Sequence, residues 1–284
     1  VHSTASSFGK GTRTFLMYAL YFAIAIIFVG PMIYLFVASL KPDNQIVADM
    51  SSIKGFIPYG DLSLQNYINV FKKMDFMKYF MNSLISSLLV VLLGTLVNSM
   101  IGYSLGLLQF KGKNLVVAMI IALMIIPSEA VIINRMLVAT ELNMLNTMSV
   151  LVIPALAYPV YVFLFYNHFK GIPKELLQAA VIDGSGYIRS FWTIMLPLSK
   201  PILATVGIMT FIRRWGDLIW PTLVTRDDTY RTLPQAMRSL YSDAYTYWGE
   251  IFAFGSMVTI PTLIIFLVFQ KQFIQSLASS GIKG

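Results

Sequence analysis

The sequence predicts an all-α membrane protein with six transmembrane helices, and three observations predict it. Of the 284 residues, 57% are hydrophobic and only 12% are charged, whereas an ordinary soluble domain carries roughly 25% charge. Mean hydropathy is +0.71. Six stretches reach the ~20 mostly apolar residues that a helix needs to cross a ~30 Å hydrocarbon core, where each backbone polar group must be satisfied within the segment. The same hydrophobicity excludes a disordered chain. With no cysteine, a disulfide scaffold and a thiol catalyst are excluded as well. The net charge of +8 is scattered among apolar runs and forms no dense stripe, so no nucleic-acid partner is expected.

In chain order the spans are expected at Phe15–Leu40, Tyr79–Leu108, Leu115–Thr140, Thr147–Phe169, Pro201–Val224 and Ile251–Gln270. A membrane domain over 15–270 then lies between an N-terminal tail, 1–14, and a C-terminal tail, 271–284. Several spans exceed the minimum length, which predicts tilt or protruding ends. Pro31, Pro127, Pro154, Pro159 and Pro261 each remove a backbone donor and are expected to kink their helices. The first span is too long for a signal-peptide core and no cleavage pattern follows it, so it is expected to be retained. The chain opens on Val1 rather than Met, which predicts a few residues upstream. The polar loop from Lys41 to Lys78 is expected to cap the bundle or to lie on the membrane surface.

Orientation follows from the basic residues. With the N-terminus inside, the inner segments hold ten Lys and Arg against two acids, a net +8, and the outer segments hold eight against nine, a net −1. Positive charge favours the cytoplasmic side, so both termini are expected in the cytoplasm.

Gly102-Tyr103-Ser104-Leu105-Gly106 matches the G-x-S-x-G pattern of serine hydrolases. That pattern requires a strand-to-helix elbow and a triad His, yet here it sits in an apolar helix and the only histidines are His2 and His168. Gly102 and Gly106 are better read as a close helix-packing face. Two distant histidines without cysteine give no metal site, and no P-loop is present to hold ATP. The sixteen methionines read as adaptable packing. No cofactor is therefore expected on this chain.

The segment 171–197, between the fourth and fifth spans, has a different character. Pro173 suits a first helical turn, and Glu175 there complements the positive end of the helix dipole. Leu176, Leu177, Ala179, Ala180 and Ile182 continue the helix. Gly184, after Asp183, can take the left-handed conformation that stops it. A second short helix is expected from about Tyr187 to Leu196, ended by Pro197. Such a hairpin suits either a groove on another protein or the lipid headgroups.

Glu175-Leu-Leu-Gln178-Ala179-Ala180-Val-Ile-Asp183-Gly184, followed by Phe191, Ile194, Leu196, Pro197 and Pro201, resembles the EAA loop of ABC importer permeases. The resemblance is closest to the carbohydrate subfamily that includes the maltose permease subunits. Trp215, Asp217, Trp220 and Pro221 add to it, as does the Ser280–Gly284 ending, which looks like the tail of the smaller maltose-type subunit. Two positions depart from the pattern: Gln178 stands where Glu usually precedes the Ala pair, and Ser185 where Ala usually follows Asp-Gly. The Gln178 departure removes a carboxylate and any salt bridge it would make.

The resemblance implies a type I importer bundle with a cytoplasmic coupling helix, in a bacterial inner membrane. It implies a second permease subunit, two ATPase subunits that carry ATP and Mg, an extracytoplasmic solute-binding protein and an oligosaccharide substrate. Glu175, Gln178, Ala179, Ala180, Asp183 and Gly184 would seat in an ATPase cleft, and ATPase closure would swing the bundle between inward-facing and outward-facing states. The subunit itself would be non-catalytic. The alternative is a secondary transporter or channel acting without an ATPase, for which Glu129 and Asp217 are few acids and no repeat is visible.

Arg213 and Arg214 lie about twelve residues into the fifth span, roughly 18 Å along a helix. A charge at that depth costs on the order of 2.5–3.5 kcal/mol and faces a cavity or a partner. Asp217 is spaced to pair with either, and Glu129 or Arg135 could extend the pair. One acid cannot offset two cations, so the other reading has at least one Arg lining the translocation cavity and meeting an anionic sugar such as a uronate. Trp215, Trp220, Tyr158, Tyr161 and Tyr166 are candidate ring faces for sugars, set against interfacial anchoring and packing.

Overall fold

The structure is a computed structural model that describes residues 5–240 and 246–281, with side chains over 13–240 and 246–270. His2, Asp243 and the last three residues of the chain, which enter the sequence reading above, lie outside the described residues. The described elements are helical throughout. The chain divides into two units, residues 1–75 with 237–260, and residues 76–236 with 261–284.

In the first unit, α1 (Ala5–Ala38) continues through Pro31. Its most apolar window is 0% buried among the described residues. The polar loop that follows folds as α2 (Asp43–Asp49), a 3₁₀ turn (Ile53–Phe56) and α3 (Gln65–Lys73). It caps the end of α1. Asn66 Nδ2 donates to the Ser39 and Lys41 carbonyls at 2.9 and 2.8 Å, just beyond the last turn of α1. Lys41 itself is 1% exposed, pairs with Asp49 at 3.0 Å and donates to the Lys54 carbonyl at 2.8 Å. A buried ammonium is tolerable only when so fully engaged. The hydroxyl of Tyr59 also donates to Asp49.

In the second unit, α4 (Phe76–Leu89), a π turn (Val90–Gly94) and α5 (Thr95–Leu107) run on as one 32-residue span. α6 (Lys113–Ile125) and α7 (Ile132–Glu141) follow, then α8 (Met148–Val152) with a 3₁₀ turn (Ile153–Ala155), then α9 (Pro159–Lys170). α10 (Lys174–Ile182) and α11 (Tyr187–Ser190) lead through a second π turn (Phe191–Met195) into α12 (Leu196–Leu198). α13 (Lys200–Trp215), α14 (Ile219–Val224) and α15 (Leu233–Ala236) complete the run; α16 (Trp248–Gly281), which ends the described chain, belongs to the first unit up to Ile260 and to the second from Pro261.

Among the described residues, three helices are long and apolar enough to cross a membrane unbroken, and up to five spans qualify if each of two bent helix pairs counts as one. The difference from six uninterrupted spans has local causes. The expected third span breaks after 13 residues, because Ile126 precedes a proline and takes an extended backbone (φ −78°, ψ 119°). The expected fourth bends by 44° between the 3₁₀ turn and Pro159. The expected fifth stops at Gly216, and Asp217 Oδ1 accepts from the Trp220 amide at 3.3 Å to help start α14. Pro197 does not end its helix. The π turn just before it is widened so that the Leu196 amide reaches back to Phe191, which absorbs the missing donor and the ring. The helix instead stops at Ser199 and turns by 82° into α13.

Two contacts fix the interior of this unit. Gly102 and Gly106 let α5 lie directly on α9, as the packing reading expects: a Cβ at Gly106 would sit 2.7 Å from Phe169 Cβ. Asn98, 1% exposed, donates to the Gly94 and Leu156 carbonyls at 2.6 and 2.9 Å and accepts from the Tyr158 amide at 2.9 Å. One side chain thus ties the first π turn to the broken stretch before α9.

Two outcomes follow. Gly106→Leu should lower stability by about 2 kcal/mol through overpacking, read as a lower thermal midpoint in detergent. The hydrogen bond from Tyr59, with the Lys41 pair, holds the Asp49 carboxyl below its usual range. Its contribution is therefore complete above the unfolded carboxyl value near ~3.9 and lost as pH falls through the lower folded value. Proteolytic protection of residues 41–59 should fall in that acid window, and Asp49→Asn should abolish the pH step.

Candidate functional site

Helix α10 begins beside Pro173, whose backbone is extended (φ −56°, ψ 127°), and carries Glu175 in its first turn. It ends in a complete left-handed cap. The Gly184 amide donates to the Val181 carbonyl at 3.0 Å, the Ser185 amide donates to the Ala180 carbonyl at 2.8 Å, and Gly184 has φ +81°. A second anchor holds the return strand of the hairpin, since the Tyr103 hydroxyl donates to the Tyr187 carbonyl at 3.1 Å. Ser190 Oγ donates to the Gly186 carbonyl at 3.1 Å.

This geometry sorts the residues picked from sequence. Glu175, Gln178, Ala179, Asp183 and Gly184 are exposed, and Ala180 is not. Ala180 and Leu177, each 6% exposed, face inward. The small surface that another protein could approach is therefore Ala179 with Gly184, not the alanine pair. On the same hairpin Ile182 is 85% exposed and Ile188 73% exposed. A cavity of about 720 Å³ adjoins it, lined by Gln178, Val181, Tyr187 and the end of α5 among others.

The second group of residues surrounds Arg213 and Arg214. Arg214 Nη1 meets Asp217 Oδ2 at 2.7 Å with the side chains 12% and 21% exposed, and Nη2 donates to the Leu151 carbonyl at 3.0 Å. The internal pair anticipated from spacing is thus Arg214–Asp217. Arg135 sits over the Trp220 ring, 5.5 Å from its centre, while Glu129 lies within electrostatic reach of Arg213 rather than joining the pair. Arg213 is exposed and stacks 3.7 Å from the centre of the Tyr158 ring. Trp215 is 3% exposed, stacked on Phe211 and edge-on to Phe80, so its faces are not free for a sugar. Trp220 is buried too, donating Nε1 to the Val150 carbonyl at 2.9 Å. Of the aromatic candidates, Tyr158 and Tyr166 keep partial exposure and Tyr161 is buried.

Asn98 was not among the residues picked from sequence. Its signal was present, since a carboxamide inside an apolar span has to find buried partners, but which carbonyls it serves depends on the break before α9.

Residues 98–279 match the model of the binding-protein-dependent transport system inner membrane component family. The chain belongs to that family. This inner membrane component is 32% identical over 262 residues to the arabinooligosaccharide transport permease AraQ of Halalkalibacterium halodurans, covering 92% of this chain and 93% of that one. It is 32% identical over 254 residues to the sn-glycerol-3-phosphate transport permease UgpE of Yersinia pestis, covering 88% and 90%. It is 27% identical over 266 residues to the diacetylchitobiose uptake permease NgcG of Streptomyces coelicolor, covering 92% and 86%. Its fold matches a crystal structure of a bacterial ABC transporter involved in import of the acidic polysaccharide alginate, with a TM-score of 0.81 at 20% identity over 95% of this chain and 99% of that one. The fold is therefore that of an ABC importer permease.

Asp217→Asn should leave the Arg214 charge uncompensated and cost about 3 kcal/mol. A double variant that also carries Arg214→Met should recover much of that loss. The thermal midpoint of the detergent-solubilised subunit is the measurement.

Proposed function

We propose that this permease is one of two membrane subunits of an ATP-driven oligosaccharide importer, and that α10 is the helix through which a cytoplasmic ATPase moves it. The observation that carries the reading is the capped hairpin. Its first helix is stopped by Gly184 and its second is held to α5 through Tyr103, while Glu175, Gln178, Ala179, Ile182 and Asp183 stand outward. A rigid handle with an exposed apolar tip transmits a push instead of absorbing it.

The assembly in this reading has a second permease subunit, two ATPase subunits holding ATP and Mg, and an extracytoplasmic binding protein. This chain supplies half of the pathway and no catalytic group. Both termini face the cytoplasm, which the charge difference of +8 inside against −1 outside favours. The sugar class is supported by relatives named for arabinooligosaccharide and diacetylchitobiose transport.

Among the described residues nothing lies within 4 Å of a Cβ built on Gly184, so a side chain there starts into open space on this subunit. The left-handed backbone adds a strain of about 1–2 kcal/mol for any L-residue. Gly184→Trp should therefore insert as the parent does but lose the ATPase on purification, or hydrolyse ATP without uptake. Gly184→Asn, which tolerates that backbone, should keep both. Ile182→Glu should weaken ATPase capture at least about tenfold, as for an anchor residue of an interface. Coupled uptake by Gly184→Trp at the parent rate would overturn the docking role, and uptake into liposomes by this chain alone would favour a secondary transporter.

A further inference from the structure

Arg213 is the cation of its neighbourhood that the fold leaves open. Arg214 takes Asp217 and the Leu151 carbonyl, whereas Arg213 makes no ion pair among the described residues and lies exposed on the Tyr158 ring. Stacking occupies one face of a guanidinium, and its N–H edge, which the Tyr161 hydroxyl shares, keeps further donors for a planar oxyanion. The Tyr161 hydroxyl stands within electrostatic reach of the same group.

The backbone around it is broken. Glu129 lies in the interruption between α6 and α7, Tyr158 is the residue on which α9 starts, and Arg213 is three residues from the stop at Gly216. Irregular backbone at membrane depth survives only inside protein or along a wet cavity. Glu129 and Arg213 are both exposed on this chain, and an Arg turned to lipid would cost on the order of 2.5–3.5 kcal/mol, which disfavours the lipid face. A dry seam with a second permease would strand the same polar groups.

We infer that Arg213, braced on Tyr158, is a solute contact on the translocation path that selects sugars bearing a carboxylate, such as oligouronates. Glu129 lies within electrostatic reach of Arg213, and a site on a path must release what it binds. Asn98 is a positioning residue for this contact, because its Oδ1 fixes the Tyr158 amide. The inference rests on the importer function proposed above.

The test uses the assembled importer with its binding protein in liposomes, and compares initial uptake of an oligouronate with that of a neutral oligosaccharide of equal length. Arg213→Gln should lower the acidic-to-neutral ratio about tenfold, the loss expected when a charge-assisted hydrogen bond is removed. Arg213→Lys should restore part of it, and Arg226→Gln, on an exposed loop, should leave the ratio as in the parent. If Arg213→Gln fails to assemble, Tyr158→Ala should raise KM for the oligouronate more than for the neutral sugar. An unchanged ratio, equal loss of both sugars, or a parent complex that carries only the neutral sugar overturns the inference. A parent complex that retains its ATPase yet carries neither sugar overturns the importer function, and the inference with it.

Discussion

The second unit of this protein depends on what one carboxamide does with three backbone groups. A span interrupted inside a membrane leaves carbonyls and amides that water cannot reach, and each unsatisfied group costs several kcal/mol in hydrocarbon. Asn98 covers Gly94, Leu156 and Tyr158 at once. That allows α9 to start at an angle to the turn before it, and the angle puts Tyr158 under Arg213. Gly102 and Gly106, one and two turns further along the same helix, bring α5 against α9 closely enough to hold that geometry.

The coupling hairpin solves a related problem at the other end of α9. Its cap satisfies the end of α10 without any partner, and its inward residues, Leu177 and Ala180, pack against the unit while Ile182 and Ile188 stay bare. Packing inward and exposure outward divide the hairpin into a fixed face and an open face. The α12–α13 turn is fixed similarly, with His168 Nε2 3.0 Å from Ser199 Oγ at the residue where the chain bends.

Local chemistry was legible in the sequence wherever a residue type admits few conformations. Gly184 stops α10 as its position after Asp183 implied, Glu175 falls in the first turn, and the spacing of Gly102 and Gly106 marked a packing face instead of a hydrolase elbow. Composition gave the membrane class and the coupling loop gave the family. Less legible was where helices stop. Pro127 ends a span while α1 and α16 run on through Pro31 and Pro261, so a proline by itself does not mark where a helix stops. The same limit applies to Arg213 and Arg214: adjacent and alike in sequence, they part company only because α13 turns one toward Asp217 and Leu151.

The π turn at Val90–Gly94 has a consequence for how this span tolerates change. A π turn accommodates one residue more than the α-helical turn it replaces, so side chains beyond it are rotated by about 100° relative to an uninterrupted helix. Deleting a single residue there would hardly shorten the helix. It would spin the segment carrying Asn98, Gly102 and Gly106 away from α9, converting a change of one amino acid into a misaligned screw thread.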